Sequence, residues 1–181
     1  MRVIAGRFRS RRLKSVPGLA VRPTPDRLRE ALFNVLAPRV KGMVFLDAYA
    51  GSGAIGIEAL SRGAKRAIFI ERNARALAIL RENLQLLGIQ NEAVVVRGAA
   101  AAQLAKHDSD IAFIDPPYEQ VQEYAGSLLA LSQTKCPLAI AQHPSRLLLN
   151  AEYGALKKTR VLRQGDNSLT FFENAVRSPG E

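Results

Sequence analysis

The sequence predicts an α/β fold, with a mostly parallel sheet flanked by helices and a small N-terminal β-hairpin ahead of it. Three observations carry this. From residue 43 onward, short apolar runs alternate with segments of helical periodicity. The glycine-rich turn Gly51-Ser52-Gly53-Ala54-Ile55-Gly56 follows the first apolar run and opens a helical stretch. Residues 2–15 alternate arginine with apolar side chains, the pattern of a half-exposed strand pair.

In order, residues 2–8 and 12–16 read as the two strands of the hairpin, with arginine on one face and Pro17-Gly18 ending it. Pro23 and Pro25 lead into a helix that Thr24 or Asp26 could cap. Leu28, Ala31, Leu32, Val35 and Leu36 form its apolar stripe, and Pro38 closes it. Strands are expected at 43–46, 66–70, 93–96, 110–114 and 138–141. Helices are expected at 54–62, 74–87, 99–106 and 120–131, with Gly63 and Gly88 ending the first two of these. Residues 155–162 and 168–173 read as a closing strand pair. The expected division is a basic hairpin over 1–20 and one α/β domain over 21–181. Strands alternating with helices imply a parallel sheet covered on both faces.

Length and composition agree with a single domain: 181 residues, 48% hydrophobic and 23% charged. No apolar run reaches membrane-spanning length and the basic N-terminus lacks a signal-peptide core, so a soluble, cytoplasmic protein is expected. Cys136 is the sole cysteine, which excludes an internal disulfide. His107 and His143 stand apart from any cysteine cluster, and no metal site is expected. The formal charge is +10, and its placement is informative. Within residues 1–42 eleven basic side chains face only Asp26 and Glu30. Arg7, Arg9, Arg11, Arg12, Lys14 and Arg22 are the candidate nucleic-acid contacts.

Ligands of such sheets bind at the carboxyl ends of the strands, which directs attention to three loops. Asp47 and the glycine turn end the first strand; Ala50, Gly51, Ser52, Gly53 and Gly56 are candidate cofactor contacts there. Glu71, followed by Arg72, ends the second strand 15 residues after Gly56. A carboxylate at that point suits the two hydroxyls of a ribose. These two loops fit a dinucleotide as well as S-adenosylmethionine. Asp47 separates the two, since a carboxylate there repels a pyrophosphate but suits an ammonium or sulfonium group. The third loop, after the fourth strand, reads Asp115-Pro116-Pro117-Tyr118. It resembles the [DN]-P-P-[YF] motif of amino-methylating nucleic-acid methyltransferases, and these four residues are the candidate catalytic group. An aromatic exocyclic amine is a weak nucleophile because its lone pair is delocalised into the ring. Two acceptors, the Asp115 carboxylate and the Pro116 carbonyl, can hold its N–H groups and localise that lone pair. Tyr118 offers a face on which an unstacked base can lie.

A wider set of residues is similar to the RsmD-type 16S ribosomal RNA guanine N2-methyltransferases. Arg2-Val3-Ile4-Ala5-Gly6 with Arg12-Leu13 resembles that family's N-terminal hairpin. Arg22-Pro23-Thr24 through Arg27, then Arg29-Glu30-Ala31-Leu32-Phe33-Asn34, resembles its R-P-T…R-E-x-L-F-N segment. Residues 47–56 and Glu58-Ala59-Leu60-Ser61-Arg62-Gly63-Ala64 resemble its cofactor loop and helix. The resemblance covers roughly residues 2–175. It implies a Rossmann-like, S-adenosylmethionine-dependent methyltransferase domain, with Thr24 and Asn34 joining the cofactor contacts. It also implies a monomer that methylates the N2 amine of a guanine, at the site conventionally called G966, in 16S rRNA of the assembling small ribosomal subunit. Two departures stand out. The third strand ends in Arg97-Gly98-Ala99-Ala100 where the family has an acid near the adenine, with Asp108 and Asp110 further along. Gln142-His143 follows the fifth strand where the family often has an acid. The tetrapeptide is shared with N6-adenine methyltransferases, and the missing acid would suit a non-catalytic RNA-binding assembly factor. His143 reads more simply as a structural histidine than as a base.

Overall fold

The computed structural model describes residues 1–16 and 25–175. In chain order the elements are α1 (Asp26–Leu36), β1 (Val44–Ala48), α2 (Ala54–Ser61), β2 (Arg66–Glu71), α3 (Ala74–Leu87), β3 (Ala93–Arg97), α4 (Ala100–Gln103), β4 (Ile111–Ile114), α5 (Val121–Ser132), β5 (Leu138–Pro144), β6 (Glu152–Tyr153), β7 (Leu156–Gln164) and β8 (Asn167–Asn174). One sheet has the order β3-β2-β1-β4-β5-β8-β7-β6. The first five are parallel, and β8, β7 and β6 add to β5 as antiparallel neighbours. The expected α/β class and mostly parallel core are present.

Side-chain alternation explains why the strands read as continuous apolar runs. Phe45, Phe69, Phe113 and Ile140 pack on one face under α1, α2 and α3. Leu46, Ile70, Ile114 and Ala141 pack on the other under α4 and α5. The chain winds from β1 outward to β2 and β3, then returns to β4 on the other side of β1. That reversal makes the carboxyl ends of β1 and β4 the topological switch point, where sheets of this kind bind ligands. α2 lies unusually close to the sheet, because a Cβ on Gly56 would stand 2.3 Å from the Phe69 ring.

Several elements differ from expectation. α1 starts at Asp26 after Pro25 with no side-chain cap; Asp26 instead pairs with Arg29 at 2.7 Å. Thr24, the other expected cap, lies outside the described residues, as do Pro17, Gly18 and Pro23. β5 runs on to Pro144 because β8 pairs with it antiparallel as far as Asn167, so Gln142 and His143 belong to a strand. β6, a two-residue strand on β7, was not anticipated.

The N-terminal segment departs most. The expected hairpin is present but short: one bridge, Arg2 with Arg12, and backbone bonds from the Val3, Ser10 and Leu13 N–H groups to the Arg11, Val3 and Met1 carbonyls. The backbone of residues 4–8 is spent on α2 instead. The fully buried Glu58 accepts the Ile4 and Ala5 N–H groups at 2.8 and 3.0 Å. Ser61 Oγ accepts from Phe8 N–H at 3.0 Å and donates to the Ala5 carbonyl at 2.5 Å. The Ser61 carbonyl accepts from Arg7 N–H at 2.9 Å. Gly6 makes the turn at φ +81°, so close to α2 that a Cβ would stand 1.9 Å from the Ser61 carbonyl oxygen. Val3 and Leu13 join the core beneath α1, α2 and α3, and buried Arg29 donates to the Arg2 carbonyl at 2.9 Å.

Gly6→Ala should therefore peel this segment from α2. The left-handed conformation alone costs about 1–2 kcal/mol for a residue with a Cβ, or roughly 2–4 °C of melting temperature per kcal/mol in a domain of this size. Faster tryptic cleavage at Arg7 should accompany the drop. Unchanged melting and cleavage would contradict the packing described.

Candidate active site

The carboxyl ends of β1, β2 and β4 bring together Asp47, Ala50–Gly53, Gly56, Glu71, Arg72 and Asp115–Tyr118. The sheet register sets their heights, since Asp47 pairs with Phe69 on one side and Phe113 on the other.

Asp47 is 2% exposed, and its Oδ2 accepts from Gly56 N–H at 2.9 Å. Gly53, the N-cap residue of α2, has no side chain to offer, and Asp47 supplies the missing cap from the neighbouring strand. Burial pushes the Asp47 carboxyl up to about 8, opposed by the Gly56 N–H and reinforced by Asp115 and Glu71. Glu71 shapes the same loop from β2. One carboxylate oxygen accepts from Gly51 N–H at 2.8 Å, the other from Asn73 N–H at 2.7 Å. Ser52 is held through its carbonyl by Asn83 Nδ2 at 2.9 Å.

Two residues of the site were not among the contacts expected from the sequence. Tyr49 adopts φ +67°, a conformation costly for an aromatic residue. Its hydroxyl donates to Glu123 Oε2 at 2.6 Å and lies 2.8 Å from Ser127 Oγ, fastening the end of β1 to α5. Burial and the Glu123 carboxylate raise its pKa. Arg72 reaches the same region, donating to Gln120 Oε1 at 2.9 Å and lying 3.9 Å from Glu123. Asn83 is the second such residue. It is fully buried on α3, and its amide bonds both backbone groups of Lys14, at 2.8 and 3.0 Å, as well as Ser52. An asparagine at a core-facing position among Leu77, Leu80 and Leu84 was the available signal.

In the tetrapeptide, Asp115 is half-buried, Pro116 buried and Pro117 exposed. Tyr118 is half-buried, and its hydroxyl donates to Asn167 Oδ1 of β8 at 2.5 Å, which fixes the ring. His143 has both nitrogens engaged. Nδ1 donates to the Pro144 carbonyl at 2.9 Å, leaving Nε2 to accept from Thr170 Oγ1 at 2.7 Å. Burial lowers its pKa, so this is a neutral structural histidine. Asp110 accepts from Val44 N–H at 2.8 Å, at the amino end of the strands and opposite the site.

Some expected contacts are elsewhere. Asn34 is exposed on α1 and lines a groove with Arg2, Arg9, Glu30 and Arg62, apart from the glycine loop. Thr24 and Arg22 lie outside the described residues. Arg7, Arg9, Arg11, Arg12 and Lys14 are all exposed. Arg7 pairs with Glu92 and Lys14 with Glu82, while Arg9, Arg11 and Arg12 form no ion pair among the described residues. The arrangement as a whole, a glycine loop braced by two carboxylates beside an acid-proline-proline-tyrosine turn, fits a nucleoside with a cationic tail better than a pyrophosphate.

The raised pKa of Asp47 has a consequence for stability. The unfolded chain ionises this group near 3.8, so from there to about 8 the folded protein holds a proton the unfolded chain has lost. Stability contributed by this group falls as pH rises through that window. Asp47→Asn keeps an acceptor for Gly56 N–H and removes that cost. The variant should be more stable than the parent at pH 8 by at least about 1 kcal/mol and melt correspondingly higher, with the difference shrinking toward pH 4. A difference that is the same at pH 4 and pH 8 would contradict the assignment.

Comparison with known proteins identifies the family. Residues 1–173 match the family described as Conserved hypothetical protein 95. The Bacillus subtilis (strain 168) protein named "Putative rRNA methyltransferase YlbH" is 36% identical over 96% of this chain and 98% of its own length. "Ribosomal RNA small subunit methyltransferase D" of Escherichia coli K12 is 43% identical over 66% of this chain and 61% of its own. Among solved structures, "Putative methyltransferase yhhF" from Escherichia coli superposes with TM-score 0.84 at 32% identity, covering 98% of this chain and 99% of that one. An RNA methyltransferase from Salinibacter ruber, solved with S-adenosyl-L-homocysteine, shares the fold at TM-score 0.66 and 15% identity, over 88% of this chain and 97% of that one. The chain therefore belongs to the Conserved hypothetical protein 95 family, together with the RsmD- and YlbH-type methyltransferases.

Proposed function

We propose that the protein transfers the methyl group of S-adenosylmethionine to the exocyclic N2 of a guanine in 16S rRNA, at the G966 site of the assembling small subunit. The observation that carries amine methylation is the Asp115–Tyr118 turn set beside a glycine loop that Asp47 and Glu71 brace; the choice of guanine and of the rRNA site rests on the likeness to the small-subunit rRNA methyltransferases. Glu71 would take the ribose hydroxyls, and Asp47 would face the cationic end. Gly98 donates its N–H to the Glu71 carbonyl at 3.1 Å, and the Gln103 amide lies over it. The adenine end would rest there on backbone and amide, without the acid usual in the family.

When bound, S-adenosylmethionine supplies an electrophilic methyl group. The Asp115 carboxylate and the Pro116 carbonyl accept from the two amine N–H groups and turn the lone pair toward that methyl. Tyr118, anchored through Asn167, gives the unstacked base a fixed surface, worth about 1–3 kcal/mol. Transfer of that methyl group to the amine would leave the nitrogen with one proton too many, which would pass to water. Positioning and the two acceptors carry the acceleration. Arg9, Arg11 and Arg12, which have no carboxylate partner among the described residues, belong to a basic strip that ends at Lys14. Asn83 ties Lys14 to the glycine loop. RNA held on that strip would therefore lead toward the site.

Asp115→Ala should lower methyl transfer to small subunits from methylation-deficient cells by at least about a hundredfold, the scale of one electrostatic interaction at a reacting group. Its calorimetric affinity for S-adenosylmethionine should be nearly unchanged. Retained turnover would remove Asp115 from the mechanism. Replacing Arg9, Arg11 and Arg12 together should weaken RNA binding and reduce the log–log salt slope by about 0.7–0.9 for each phosphate no longer neutralised. An unchanged slope would place the docking surface elsewhere.

A further inference from the structure

Gln142 is a polar side chain beside the tetrapeptide that the fold leaves unsatisfied. It is 2% exposed, and its Oε1 is buried with no hydrogen-bond partner. An acceptor left so in a protein interior is costly, and the neighbouring polar groups do not explain it. His143, the next residue, is fully bonded. Tyr118 is anchored to Asn167.

Its place in the sheet is specific. Ala141 of β5 pairs with Ile114 of β4, so Gln142 stands one step further along β5, as Asp115 does along β4. Side chains alternate, and Gln142 follows Leu138 and Ile140 onto the face that carries Phe45 and Phe113. The same count puts Asp47 and Asp115 on that face, and the carboxylate of Asp115 is near enough to raise the pKa of Asp47. Asp115 and Gln142 thus stand level at the carboxyl ends of β4 and β5, with Asp47 two residues lower on the same face of β1.

We infer that the Gln142 carboxamide is the subsite that reads the Watson–Crick edge of the target guanine, an inference that rests on the guanine N2 reading above. A guanine that presents N2 to Asp115 offers, next along the same edge, the N1–H donor and then the O6 acceptor. A carboxamide carries an acceptor and a donor side by side, so Oε1 takes N1–H and Nε2 donates to O6. An adenine that presents N6 to Asp115 offers N1, an acceptor, and then a C–H. It would satisfy only one half of the amide and leave Oε1 orphaned. The tetrapeptide selects an amine; Gln142 selects which purine bears it. Sites built to hydrogen-bond a substrate group discriminate strongly against analogues lacking it, because the buried partner is then left unpaired.

The test compares small subunits carrying guanine at the target position with subunits carrying 2-aminopurine there, which keeps the N2 amine but lacks N1–H and O6. The wild-type protein should prefer guanine in kcat/KM by at least about tenfold, the scale of one or two neutral hydrogen bonds. In Gln142→Met that preference should fall close to one, with the affinity for S-adenosylmethionine unchanged. Gln142→Glu keeps the acceptor for N1–H and should retain part of the preference. A wild-type preference near one, or an equal preference in wild type and Gln142→Met, overturns the subsite while guanine methylation stands. If circular dichroism shows that Gln142→Met is unfolded, Gln142→Glu takes its place, and an unchanged preference there overturns the subsite. If the wild-type protein forms no N2-methylguanosine on guanine-bearing subunits, the reading of the whole site fails, and the subsite falls with it.

Discussion

The hydrogen bond from Gly56 N–H to the buried Asp47 carboxylate sets the geometry on which everything else depends. α2 is only eight residues long and packs its glycine against the Phe69 ring. Its N-terminus has no capping side chain of its own, so the strand supplies one. That choice places an acid under the glycine loop, where burial pushes its pKa up to about 8. The folding requirement is met by a buried acid, at a cost in stability that a neutral residue would avoid.

The other end of α2 does comparable work. Glu58 and Ser61 hold residues 4–8 by their backbone groups, which fixes the basic strip without using any of its arginines. Asn83 then joins Lys14 to Ser52 through one buried amide. The strip and the glycine loop are thereby mounted on the same two helices. A polyanion held by these arginines and a ligand in the loop would share one rigid support, with little room for independent movement.

Much of this was legible in the sequence where the determinants are local. The glycine turn, Glu71 and the Asp115–Tyr118 turn follow from spacing within one strand–loop–helix unit, and the structure gathers them at one end of the sheet. What was missed depends on partners far along the chain. The alternating arginines suggested a strand pair, but residues 4–8 found their hydrogen bonds on a helix more than fifty residues later. Asn34 follows a recognisable segment yet faces a groove beside α1. Tyr49 gave no pattern, because its role rests on a left-handed backbone and on Glu123 of another helix. Gln142 looked like a simple departure from the family; its meaning needed the β4–β5 register.

An amine-methylating centre at the carboxyl ends of β1 and β4, with guanine as its target, is the central claim. The most direct test is mass spectrometry of nucleosides from small-subunit rRNA treated with the protein and methyl-labelled S-adenosylmethionine. The label is predicted to appear in N2-methylguanosine. Label in N6-methyladenosine, or none in the RNA at all, would contradict it.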